Sequence, residues 1–272
     1  MGLVKFERQS SIEFEASDKI NSLLMVCSHE RSGTHFLLNS LDLCTYYKNK
    51  PLYIFDHSPY LGSHHDFLEK ESNSKLFNNL SSLEINNMEL CMSSMVKSHF
   101  PIPLVSDVST KKLKIAYIYR NPVDVFISYW KYLHELDIFE GPKTNTPLEL
   151  ATQVPCGNSQ RYQIKNFGSY FERWAFHVST ANQYIKKSDN LGMISYQDLL
   201  NDHTNSINLL CKELNIEIIR SPKRIRKEDP KLSFYLKGAN LELPQDEYQK
   251  LYDYCSHNVK RYSSLPYNIM NA

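Results

Sequence analysis

Residues 23–27 read LLMVC, an unbroken apolar run of strand length, and the next apolar positions return at helical spacing over residues 34–44, THFLLNSLDLC. The pattern then repeats. Residues 92–97 predict a second strand that ends at SHFPIP, where Pro101 and Pro103 predict an extended exit. Residues 114–119, KIAYIY, are β-branched and aromatic and predict a third strand. Asn121 then suits a helix N-cap and Pro122 the first helical position of VDVFISYWKYLHEL. Further on, the spacing predicts a long amphipathic helix over 167–187, a strand over 191–195 and a helix over 202–214. Strands alternating with helices predict an α/β architecture with a mostly parallel sheet. Two segments give no clear period. Residues 49–90 are polar and rich in histidine, while residues 141–158 read as a Pro- and Thr-containing loop long enough for a lid or pocket wall.

Composition narrows the function classes. A chain of 272 residues with 42% hydrophobic and 22% charged positions suits one ordinary globular domain with a sizeable core. The formal net charge of +1 supplies no global field for nucleic acid or an anionic membrane, so any anion must be held by local groups. The six cysteines are scattered without a CxxC pair, which fits reduced thiols in a cytoplasmic protein. The first 20 residues carry acids every few positions and do not resemble a signal peptide, and no apolar run reaches the length of a membrane span.

The connection between the first strand and helix, CSHERSGTHF, carries the candidate chemistry. A strand, a small-residue turn and a helix start gather backbone N–H groups around one point, where the helix dipole also favours negative charge. Ser32, Gly33, Thr34 and His35 offer those amides, Ser32 and Thr34 add hydroxyls, and Arg31 adds a charged fork. A Walker A loop is excluded, since Ser28 stands five before Gly33 and no lysine follows it. A cysteine-dependent phosphatase loop is excluded by spacing as well, so Cys27 is expected to be a buried strand thiol.

Together with VKSHFP at 96–101 and YIYRNPVDVFISYW at 117–130, this stretch resembles the cytosolic-type sulfotransferases that use 3′-phosphoadenosine 5′-phosphosulfate (PAPS). The order and separations are similar. GSYFERW at 168–174 resembles the family's GSWxxHVxxWW helix, and ISYQDLL at 194–200 its YEDL element. The resemblance implies a P-loop-like three-layer fold with a central, mostly parallel β-sheet flanked by helices. It also implies direct in-line transfer without a metal.

Residue by residue, the loop that reads like PKSGTTW in the family corresponds here to Arg31, Ser32, Gly33, Thr34, His35 and Phe36, and implies a cradle for the 5′-phosphosulfate. KTHLP corresponds to Lys97, Ser98, His99, Phe100 and Pro101, which makes His99 the candidate general base and Lys97 a second cation. RNPxDxxxSxY corresponds to Arg120, Asn121, Pro122, Asp124, Ser128 and Tyr129, with Arg120 and Ser128 as 3′-phosphate ligands, and Tyr196 falls near the adenine. The departures have chemical content. Arg31 stands where the family has a catalytic lysine; it stabilises charge but is a poor proton donor. Phe36 replaces the tryptophan that stacks on adenine, and His35 replaces a threonine. Of the family's RKGxxGDW element only Lys237 and Gly238 remain as candidates, and the basic run at 220–229 is an alternative source of cations.

His57, His64 and His65 match no familiar metal spacing and are read as acceptor-pocket lining. The expectation is therefore transfer of a sulfuryl group from PAPS to a hydroxyl or amine of a small acceptor, with no nucleic acid or membrane partner. A nucleotide kinase with a divergent phosphate loop and a non-catalytic nucleotide-binding protein are the alternatives.

Overall fold

The computed structural model describes residues 23–54, 94–105, 113–136, 140–224 and 242–272. Five strands form one sheet in the order β2-β3-β1-β4-β5: β1 Leu23–Cys27, β2 Lys48–Ile54, β3 Ser94–Ser98, β4 Leu113–Tyr119 and β5 Leu191–Ser195. Every pairing in it is parallel. The chain thus fills one side of β1 with β3 and β2, then crosses over to fill the other with β4 and β5. In open parallel sheets such a reversal leaves a crevice at the carboxyl ends of the strands, where ligands bind.

Alternation along the strands builds a core on both faces. Leu24 and Val26 of β1, with Ala116 and Ile118 of β4, pack with Leu37, Leu38 and Leu41 of α1 (Thr34–Cys44). Met25, Cys27, Ile115 and Tyr117 point the other way, into a cluster that includes Ala181 of a later helix. Each fully buried leucine or valine contributes about 1.5–3 kcal/mol, so burial on both faces explains why these strands read as continuous apolar runs.

Helices α2 (Ile102–Val105), α3 (Pro122–Glu135), α4 (Pro147–Thr152), α5 (Tyr170–Ile185), α6 (Tyr196–Asn201), α7 (His203–Glu213) and α8 (Gln245–Val259) cover the sheet and one another. Phe126, Trp130, Phe171 and Trp174 join α3 to α5 in a third cluster, to which α8 adds Leu251 and Cys255. Sheet and flanking helices therefore form the expected three-layer α/β fold.

Several elements differ from the sequence expectation. The exit after β3 bends at Phe100 and enters the short helix α2 directly after Pro101, with Pro103 inside it, since a proline fits the first turn of a helix. The stretch 141–158 is not all loop, because α4 starts within it on a Thr146 cap that accepts from the Glu149 amide, with Pro147 behind it. Strand β2 starts at Lys48 and runs into the segment that shows no period. Helix α5 is shorter than 167–187, its start fixed by the Ser169 cap on the Glu172 amide. Residues 57, 64, 65, 139, 237 and 238 lie outside the described residues.

Candidate active site

Three neighbouring strands end side by side, with Cys27 of β1 in register with Ser98 of β3 and Tyr117 of β4. The segments leaving them carry the candidate chemistry: residues 28–33 after β1, His99 after β3 and Arg120 after β4.

The turn after β1 is built from backbone geometry. Gly33 is the N-cap of α1 at φ 100, a left-handed conformation, and no side chain caps the helix. A Cβ at this position would overlap the Tyr196 ring, so only glycine lets ring and turn meet. Arg31 also has a positive φ, 64°, a strained conformation of the kind that collects at ligand-binding turns. Gly33 itself offers no capping side chain to the first amides of α1, which lie at the positive end of the helix dipole. The Ser32 hydroxyl is buried and has no hydrogen-bond partner among the described residues. Such a group fits a polar ligand, since an unmade buried hydrogen bond is costly.

Arg31 reaches from this turn to α3, donating from Nε to Ser128 Oγ at 3.1 Å, with its guanidinium 4.7 Å from the Tyr132 ring centre. Arg120 lies 4.3 Å over the Tyr196 ring and pairs with Asp124 at 3.2 Å. Its Nε is buried without a partner among the described residues, which fits an anion there. Asn121 caps α3 by accepting from the Asp124 amide at 2.9 Å, with Pro122 next, so Arg120 stands at a strand-to-helix junction as expected. Phe36 meets Tyr196 edge to face at 6.1 Å, and His203, which no sequence motif points to, has its ring centre 5.7 Å from that of Phe36. Contacts thus join Arg31 to Ser128, and the Tyr196 ring gathers Gly33, Phe36 and Arg120, while Ser32, Thr34 and His35 lie in the same turn and helix start.

His99 packs on the β1 side of it. Its Nδ1 lies 2.9 Å from the Ser28 carbonyl oxygen, which only accepts, so the neutral ring carries its proton on Nδ1 and its lone pair on Nε2. Tyr162 closes one side of the ring, edge to face at 5.4 Å. Burial pulls His99 well below the ordinary histidine value, and Lys97 adds to the effect, so at neutral pH the ring is the unprotonated form a base requires. His35 is lowered to about 3, by burial first and then by Lys97 and Arg31.

Beneath the turn lies a set of buried polar groups that the sequence reading did not single out: His29, Glu30, Tyr117, Arg173 and His177. Glu30 and Arg173 form an ion pair, and Tyr117 and His177 are hydrogen-bonded at 2.6 Å. Burial lowers His29 to about 3 and His177 to about 4. Burial alone would raise Glu30, but Arg173 and the nearby histidines hold its carboxyl well below the usual range. The available signal was a double departure from the motifs, Glu30 where PKSGTTW begins with proline and Arg173 where GSWxxHV has histidine.

These depressed values predict acid sensitivity. The unfolded chain takes up protons on His29, His99 and His177 below about pH 6.5, whereas the folded protein does not, so stability is full above that pH and falls as pH drops toward 4. Each group contributes up to about 1.4 kcal/mol per pH unit in that window, and Glu30 extends the loss below about pH 4.5. Urea unfolding across pH 7 to 4 measures this slope; equal stability at pH 7 and 5 would contradict the buried neutral histidines.

Among the described residues no group of three or more His, Cys, Asp or Glu could hold a metal ion, and no helix is long and apolar enough to cross a membrane.

Known proteins resemble this chain in sequence and fold. The family profile described as "Sulfotransferase domain" matches residues 22–256. Sulfotransferase 2A2 of Rattus norvegicus is 25% identical over 240 residues, covering 81% of this chain and 72% of that protein. The 3-alpha-hydroxysteroid sulfotransferase of Cavia porcellus is 28% identical over 119 residues, 43% of this chain and 37% of that protein. Among solved structures, the sulfotransferase from Alicyclobacillus acidocaldarius has a TM-score of 0.54 at 13% identity, covering 91% of this chain and 96% of its own. Mouse sulfotransferase SULT7A1, solved complexed with PAP, has a TM-score of 0.50 at 19% identity over 89% of both chains. With the profile spanning most of its length and the three strand exits carrying the motifs in order, this chain belongs to the sulfotransferase family.

Proposed function

We propose that this protein transfers a sulfuryl group from PAPS to a hydroxyl or amine of a small acceptor. The observation that carries the reading is the convergence of the β1 and β4 exits: Arg31 contacts Ser128 directly, and Arg120 and Phe36 share the Tyr196 ring. One ligand with an anionic group at each end, joined by an adenosine, fits such a crevice. The mouse relative complexed with PAP supports that ligand class, and the guinea-pig relative named for a 3-alpha-hydroxysteroid supports a hydroxyl acceptor.

In this reading the amides of the turn, with Ser32 and Thr34, hold the 5′ end, Arg120 and Ser128 hold the 3′-phosphate, and Phe36 and Tyr196 flank the base. Lys237 and Gly238 are further 3′-phosphate candidates by position in the sequence. When bound, PAPS supplies the electrophilic sulfur and a phosphate leaving group. His99 accepts the acceptor proton on Nε2, because its Nδ1 is committed to Ser28. Arg31 and Lys97 offset the negative charge that grows where the leaving group departs. Arginine holds its proton tightly, so Arg31 acts by charge and hydrogen bonding.

A thermal-shift comparison tests the donor. A ligand at 100 times its dissociation constant stabilises by about 2.7 kcal/mol, so 3′,5′-phosphoadenosine should raise the melting temperature by several degrees. ATP, GTP and 5′-phosphoadenosine should raise it far less. Equal or larger shifts with magnesium ATP or GTP would favour a kinase and overturn the reading. Mass-spectrometric screening of acceptor panels with PAPS then identifies the product.

A further inference from the structure

The polar groups under the turn are arranged around one helix. Arg173 and His177 lie one turn apart on the buried face of α5, 2% exposed each. Arg173 donates to the Glu30 carboxylate, and its second terminal nitrogen is 3.4 Å from His29 Nε2. His29 Nδ1 lies 3.0 Å from the Glu30 carbonyl oxygen, so it carries the proton and Nε2 offers its lone pair to Arg173. His177 Nε2 donates to the main-chain carbonyl of His99 at 2.9 Å, which leaves Nδ1 to accept from the Tyr117 hydroxyl at 2.6 Å. One helix therefore grips both catalytic segments, the turn after β1 through Arg173 and the segment after β3 through His177. The two segments are joined to each other by the bond from His99 Nδ1 to the Ser28 carbonyl.

We propose that Glu30 and Arg173 are positioning residues for sulfuryl transfer: their ion pair fixes the turn that carries Arg31 against α5, and so fixes Ser28, the group that orients His99. The proposal rests on the sulfotransferase reading above. Its warrant is that these two charges, far apart in the sequence, are the two ends of one buried pair, and that both positions are among those that depart from the family motifs. A buried ion pair is a poor source of net stability, because desolvation offsets the attraction, and its best-attested use is to fix register. Arg173 also spans two acceptors, Glu30 and His29, which requires a planar fork and not merely a positive charge.

The experiment compares the full-length wild type with Arg173→Lys and with the double variant Glu30→Gln/Arg173→Gln, which keeps a hydrogen-bonding pair without buried charge. Misplacement by about 1 Å is worth up to about 100-fold in rate, so Arg173→Lys should lower kcat by about tenfold or more. KM for PAPS and the affinity for 3′,5′-phosphoadenosine should stay within about threefold, and the double variant should recover part of the loss. Nitrogen-15 imidazole spectra of the ligand-free proteins should show His99 as the Nδ1-protonated tautomer in the wild type and as a mixture in Arg173→Lys. An unchanged kcat and His99 signal in Arg173→Lys, or a parallel loss of kcat, nucleotide affinity and melting temperature, would overturn the proposal. If the wild type transferred no sulfuryl group to any acceptor, the functional reading would fall, while the His99 spectra would still decide whether the pair orients that ring.

Discussion

Replacing His99 with alanine is expected to slow transfer by about 100- to 10,000-fold, the contribution of a positioned general base, while 3′,5′-phosphoadenosine still binds with nearly its full affinity. The two effects separate because His99 meets the turn through Ser28, whereas the donors proposed for the nucleotide are the α1 amides, Ser32 and Thr34. In the wild type the acid limb of kcat/KM should lie below pH 6.5, since burial first and Lys97 next lower this imidazole. The variant should lose that limb. Single-turnover rates and calorimetric titration with 3′,5′-phosphoadenosine decide the matter, and a variant that turns over at the wild-type rate removes His99 from the mechanism.

Arg120→Ala is expected to act on binding. A hydrogen bond to a charged group contributes about 1.5–3 kcal/mol, which corresponds to a loss of about 10- to 150-fold in affinity for 3′,5′-phosphoadenosine. Affinity for 5′-phosphoadenosine, which lacks the 3′-phosphate, should change little, so the preference for the bisphosphate collapses. The fold should survive, because the Arg120–Asp124 pair is partly exposed and such pairs contribute little stability. Arg120→Lys should recover part of the affinity but not the full discrimination, since an ammonium lacks the planar fork. If both nucleotides weakened equally in Arg120→Ala, the 3′-phosphate would have to be held elsewhere, and the basic run at 220–229 would be the next place to look.

The elements legible in the sequence were those whose burial imposes an unambiguous pattern. Strands β1 and β5 and helix α1 have the expected bounds, because a strand covered on both faces is continuously apolar and α1 presents one apolar stripe. Helix α8 gave no usable signal: only Leu251 and Cys255 are buried, and tyrosines and charges occupy the other faces. Helix α4 is six residues long, too short for periodicity, although Thr146, Pro147 and Glu149 together spell a helix start. Pro103 predicts an extended exit by its sequence context, but a proline in a first turn costs no hydrogen bond, and it sits inside α2.

The same division runs through the site. Its parts were legible where one contiguous stretch folds into one local structure, as in the turn before α1 and the Asn121-capped start of α3. The Glu30–Arg173 contact was not, because its ends are 143 residues apart and each alone reads as a surface charge. Only a packed helix between two strand exits gives them a common meaning.

The parallel pairing of β3, β1 and β4 has one more consequence. Main-chain hydrogen bonds hold adjacent strands about 4.8 Å apart, so the roots of His99, of the turn after β1 and of Arg120 are spaced by the sheet as by the teeth of a comb. Surface substitutions can restyle what leans over that comb without moving its teeth. In the proposed reading, divergence in acceptor preference is therefore mechanically decoupled from the interval at which donor and acceptor would meet.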